Sequence, residues 1–197
     1  MTKEYFQNLL TQYYPDIVPI SYLFKHDYSD RWFRIHSLPD SKRYADKEIE
    51  WSILLSRQNE IITDLLGVDE PIFIITGDYN LGTSKTSYIT DEEEVYKSYV
   101  FVRLDDIDLK KIDPEQYDEQ DVYRPAFATT AWRPNSHDNL LREIANDNIR
   151  AFFVSFDKKV IVAPYDGGVD FVLNDSDSKD YYKGKYKQWL SGREDGL

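Results

Sequence analysis

The eleven residues from Arg34 to Tyr44 read R-I-H-S-L-P-D-S-K-R-Y and bring three cationic side chains, one imidazole and two serine hydroxyls together. On a strand, Arg34 and His36 point to the same side because side chains alternate, and Trp32 joins them. The segment then turns at Pro39 and runs into a helical pattern. A helix start adds unpaired amides and a partial positive charge. Arg34, His36, Ser41, Lys42, Arg43 and Tyr44 therefore form a candidate ligand-binding set for a phosphate or a carboxylate. Guanidinium neighbours disfavour a cationic histidine, which would suit His36 to proton transfer near neutral pH. The competing reading is structural. Lys42 and Arg43 have Asp40, Asp46 and the D-E-E-E run at 91–94 as possible partners, and Arg34 has Trp32 to pack on.

A second constellation, P-Y-D-G-G-V-D from Pro164 to Asp170, adds Asp166 and Asp170 to the candidate ligand-binding residues. Two carboxylates four residues apart could work as acid and base, yet Asp-Gly between apolar runs is also hairpin chemistry and predicts a type I′ turn with positive φ at Gly167. Asp170 lies among Val169, Phe171 and Val172, so it needs a partner if it is buried. The stretch G-D-Y-N-L-G-T-S-K-T imitates a phosphate-binding loop, but Lys85 arrives two residues late and no helix pattern follows. His26, Asp27, Asp30 and His36 match no metal-ligand spacing, and no G-x-S-x-G elbow exists, so neither a metal nor a cofactor is expected.

A formal charge of −12 over 197 residues opposes nonspecific association with nucleic acid or an anionic membrane and suits a basic partner. The chain has no cysteine, hence no disulfide, thiolate zinc site or cysteine nucleophile, as fits a reducing compartment. The first residues lack the basic and apolar regions of an export signal, and no apolar run approaches the roughly 18 residues of a membrane span. A cytoplasmic location is expected. Sixteen tyrosines and four tryptophans argue for a packed core and against disorder.

The elements that must position these residues follow from period and punctuation. Phe6, Leu9, Leu10 and Tyr13 predict a helix from about Lys3 to Tyr14, stopped by Pro15. Residues 20–25 and 31–38 both alternate and predict a hairpin, with Phe33 and Ile35 inward. An acidic first turn at Asp46, Glu48 and Glu50 predicts a long helix ending at Gly67. Strands are predicted at P-I-F-I-I-T, at 95–104 and at 126–132, with a long acidic excursion from 105 to 121. Ser136 is placed to cap a short helix through Leu140, Leu141 and Ile144, and three close strands follow, starting near 150, 159 and 168. A last helix is predicted over 176–190. Grouped strands in place of strict strand–helix alternation predict one domain of α+β class over residues 1–197, with a largely antiparallel sheet and helices on one or both faces.

The Arg34–Tyr44 segment resembles the signature of an uncharacterised family of bacterial proteins, in which an aromatic strand runs into R-[FI]-H-S-L-P-x-S-K-R-Y. The glycine turn at Pro164–Asp170 and the closing W-L-S…G-L from Trp189 to Leu197 are similar to that family too. The resemblance implies relatives but no activity and no site residues. Two functions of different kinds are therefore expected. One is an acidic binding protein for a basic protein partner, by analogy with toxin-immunity proteins, in which charge steers the encounter and aromatic residues anchor it. The other is an enzyme or sensor for a small anionic ligand at Arg34–Tyr44.

Overall fold

The computed structural model describes residues 1–82 and 89–192. The first helix, α1 (Lys3–Tyr13), starts where the Thr2 hydroxyl accepts the Tyr5 amide, and it buries Phe6 and Leu10. Residues 20–25 are not a strand. They form a 3-10 turn, Ser21–Leu23, followed by the single-turn helix α2 (Phe24–Asp27). Six residues of I-S-Y-L-F-K fit either period. The packing selects the helical one, because Ile20, Leu23 and Phe24, at i, i+3 and i+4, all join apolar clusters.

Strand β1 (Trp32–His36) buries Phe33 and Ile35 as its alternation requires. A turn at Pro39–Ser41 carries Asp40 and Ser41 at φ 56° and 55°, and leads into α3 (Glu48–Leu66), which ends where Gly67 reaches φ 88°. Next come β2 (Glu70–Asn80) and the short α4 (Ile89–Glu92). The strand expected at 95–104 shrinks to β3 (Phe101–Arg103), because Glu94–Ser98 is a 3-10 turn that drives Tyr96 into the core and its hydroxyl to 2.7 Å from Thr76 Oγ1. The acidic excursion is tied down by β4 (Ile107–Asp108) and by the buried Leu109 and Tyr117. Strand β5 (Val122–Trp132) is followed by α5 (Asp138–Ala145), β6 (Ala151–Ser155), β7 (Val160–Tyr165), β8 (Gly168–Val172) and α6 (Ser176–Lys185). Ser136 does not cap α5, since its hydroxyl is spent on the Arg133 carbonyl. The last helix breaks at Tyr186 into a 3-10 turn over Lys187–Trp189.

Among the described residues the eight strands make one sheet in the order β1-β8-β7-β6-β2-β5-β3, with β4 also on β5, and every pairing is antiparallel. This is an α+β fold with helices on both faces. Alternation along β2 sends Ile72 and Ile74 to one core with α3 and α5, and Phe73 and Ile75 to the other with α1 and α2. Along β1 the same alternation puts Phe33 and Ile35 in the first core and leaves Arg34 on the other side. No helix among the described residues is long and apolar enough to cross a membrane.

Candidate functional site

Strand β8 lies between β1 and β7, so the 34–44 segment and the 164–170 segment meet side by side. Register places Arg34 opposite Asp170 and Asp170 opposite Ala163. The Arg34 guanidinium grips the carboxylate with two parallel bonds, Nε to Oδ1 at 2.5 Å and Nη2 to Oδ2 at 2.8 Å. Its Cζ also lies 4.4 Å from the centre of the Tyr165 ring and 5.5 Å from that of Trp32. Asp170 is thus supplied with the partner that its apolar neighbours demand, and Arg34 is locked between two rings.

The second aspartate is held from further along the same segment. Arg43 donates through Nε to Oδ2 of Asp166, and the Tyr44 hydroxyl donates to the same oxygen at 2.8 Å. The 166–167 turn itself corrects the type I′ expectation. Tyr165 and Gly168 pair across it, but Asp166 and Gly167 both lie outside the left-handed region that Gly67 and Gly82 adopt. Space explains the second glycine: a Cβ on Gly168 would stand 2.0 Å from the Ile35 carbonyl oxygen of the neighbouring strand. A Cβ on Gly167 would meet the Tyr165 ring at 2.8 Å.

Arg34, Arg43, Asp166 and Asp170 open onto one partly enclosed cavity of about 230 Å³. Arg150 and Asp147 add a third pair of charges, 3.7 Å apart and so beyond hydrogen-bond length. The lining carries the tyrosines Tyr22, Tyr79, Tyr123 and Tyr165 and the apolar side chains of Ile144, Ile149 and Phe152. Burial raises the pKa of all four phenols, that of Tyr22 to about 12, so each is neutral and able to donate near pH 7. These tyrosines, Arg150 and Asp147 had no motif to announce them. One signal was present: Gly77 sits inside a strand, and a Cβ there would lie 2.4 Å from the Tyr123 ring.

The other candidate residues lie elsewhere. Lys42 turns to Glu50 at 2.6 Å and Asp46 at 2.9 Å, the surface pairing that the acidic helix start offers. Ser41 is exposed in its left-handed turn. His36 lines a separate depression with Leu38, Arg57 and Trp189, and its Nε2 is buried with no hydrogen-bond partner. Desolvation, with Arg34 second, lowers the His36 pKa and keeps the ring neutral. The imidazole does not line the cavity onto which Arg34 and Arg43 open. His26 and Asp27 lie on α2, not in a hairpin loop. Residues Thr83 to Thr86 of the glycine-rich stretch and the last five residues of the chain lie outside the described residues, whereas Gly77 to Asn80 continue β2.

The end of the described chain reaches the same strand. Arg57 donates to the His36 carbonyl at 3.2 Å and stacks 5.4 Å from the Trp189 ring centre. Described residues from all three segments that carry the resemblance therefore gather around β1.

A profile of a domain of unknown function, DUF3885, matches residues 20–194. The chain belongs to the DUF3885 family. That agrees with the resemblance to an uncharacterised family, and the matched span takes in every residue of the cavity. Comparison with curated proteins and with solved structures gives no match.

Proposed function

We propose that this member of the DUF3885 family binds a small ligand carrying an anionic group in the cavity between Arg34, Arg43 and Arg150. One observation carries the reading: two segments more than a hundred residues apart converge on a cavity rich in hydrogen-bond donors. Three guanidinium groups and four neutral phenols face it, and each arginine has N–H groups beyond those its aspartate takes. A cavity of about 230 Å³ is smaller than one for a drug-sized molecule, so the ligand is small. The reading is one of binding, and His36 has no part in it because it stands outside the cavity. The test is a thermal-shift panel of small carboxylates and phosphates at matched ionic strength, on wild type and on Arg43→Ala. Stabilisation of the wild type that Arg43→Ala abolishes supports the site. A panel with no response beyond a chloride control removes it.

A second reading keeps the basic protein partner and seats it along α3. There a broad depression of about 970 Å³ along α3 is lined by Glu48, Glu60, Asp64 and Asp138, against Arg142 and Lys185. Salt-sensitive binding of an oligolysine peptide, lost in Glu48→Lys with Glu60→Lys, supports this face. Binding unaffected by that double change puts any basic partner elsewhere.

A further inference from the structure

We infer that the ligand is a zwitterion, a free α-amino acid with an apolar or aromatic side chain, so that an ammonium group as well as a carboxylate is read at the cavity rim. The inference rests on the ligand-binding reading above and narrows it. Three positive and three negative side chains face the cavity, which leaves it without net charge. A bare phosphate would meet Asp147 and Asp166 as well as the arginines. Like charges brought together in a partly enclosed cavity repel.

The three pairs are not equivalent. Arg34 and Asp170 hold each other with two bonds, whereas the Arg43–Asp166 and Arg150–Asp147 pairs are more open. Arg43 touches Asp166 through Nε alone, so both Nη groups of its fork remain available. On Asp166 both donors, Arg43 and Tyr44, converge on Oδ2, and Oδ1 accepts from no described residue. Arg150 and Asp147 stand too far apart to hydrogen-bond. Arg43 also feels the charge of Asp147, so the two open pairs form one cluster. Uncommitted guanidinium N–H groups beside uncommitted carboxylate oxygens are complementary to one molecule that carries both an anion and an ammonium. In the same cavity Ile144, Ile149 and Phe152, with the Tyr22 and Tyr79 rings, offer an apolar lining to the remainder of such a molecule.

The experiment uses the full chain and calorimetric titration with L-leucine, L-phenylalanine, N-acetyl-L-leucine, L-leucinamide and sodium phosphate, each at matched ionic strength. The expected result is saturable binding of one or both free amino acids, with at least a tenfold loss on acetylating the amine or amidating the carboxylate. Asp166→Asn is expected to remove the preference for the free amine. Asp147→Asn, at a more exposed position, gives the same readout if Asp166→Asn does not fold. Arg43→Ala is expected to remove the preference for the free carboxylate. Binding of N-acetyl-L-leucine or phosphate as tight as that of L-leucine, and dependent on Arg43, overturns the zwitterion and leaves the anion site standing. No binding of any probe, or binding indifferent to Arg43, Asp147 and Asp166, overturns both.

Discussion

Asp166 and Asp170 sit four residues apart around one tight turn, 6% and 5% exposed, and their two arginines behave differently. The Arg34 side chain is 16% exposed, bound at two points and clasped by Tyr165 and Trp32, whereas that of Arg43 is 63% exposed and bound at one. The difference traces to where each arginine stands on the chain. Arg34 is on β1, directly opposite Asp170 in the sheet, so the backbone hydrogen bonds of two strands fix the pair before the side chains meet. Arg43 lies beyond β1, past the left-handed turn at Asp40 and Ser41, and reaches back to Asp166 from a loop. The first pair joins two strands. The second holds a carboxylate in place while keeping most of its own donors for something else.

Breaking the closed pair is expected to have the largest effect. Arg34→Ala or Asp170→Asn strands a buried partner, and a loss of about 3–5 kcal/mol in unfolding free energy is expected from urea denaturation. Replacing both together, as Arg34→Met with Asp170→Leu, should recover most of that loss, because removing both charges removes the desolvation penalty. A double variant as unstable as either single one would show that the pair does more than satisfy itself. Next in size is Gly168→Ala, whose methyl group meets the Ile35 carbonyl of β1; overpacking of this kind is expected to cost about 1–3 kcal/mol. Gly167→Ala should cost less, since the atom it meets belongs to the Tyr165 side chain.

A third polar pair is buried without charge and extends the comparison to pH. His137 Nε2 donates to the Ala131 carbonyl at 3.0 Å, so its Nδ1 must accept from the Tyr99 hydroxyl at 2.9 Å. Desolvation lowers the His137 pKa, and His36 is lowered as well. The unfolded chain therefore binds protons first as pH falls below about 6.5, and stability drops until the folded-state pKa values are passed. The slope in that window should be up to about 1.4 kcal/mol per pH unit for each histidine. Melting curves between pH 7.5 and 5 should show His137→Asn less sensitive to acid than wild type. An unchanged acid slope in the variant would remove His137 from the account.

Much of the frame was legible. The alternation of W-F-R-I-H, the glycine stop after α3 and the three apolar runs of β6, β7 and β8 all describe elements that form where their period says. The failures share a cause. At 20–25 and 95–98 the pattern is short enough to fit both periods, and tertiary contacts of Phe24 and Tyr96 decide between them. At the site, Asp170 among apolar neighbours signalled a buried carboxylate, but the identity of its partner depends on a register between residues 136 apart. The cationic run misled in another way. Three charges within one short segment serve three purposes: Arg34 locks two strands, Lys42 pairs with the start of α3, and Arg43 alone of the three stands open at the cavity. Glycine was read as conformational freedom at Gly167, where the structure needs it for space.

Arg43→Ala leaves Asp166 its bond from the Tyr44 hydroxyl, so it is expected to cost less than Arg34→Ala, and for that reason it tests the central claim most directly. Melting temperature and calorimetric binding are to be measured side by side on wild type, Arg43→Ala and Arg34→Met with Asp170→Leu. The account predicts that Arg43→Ala melts well above Arg34→Ala yet loses the amino-acid response, while the double variant stays folded and keeps a response through Arg43 and Asp166. An Arg43→Ala protein that binds as wild type does, or that falls in melting temperature as far as Arg34→Ala, would contradict the division between a closed pair that holds the sheet and an open pair that holds a ligand.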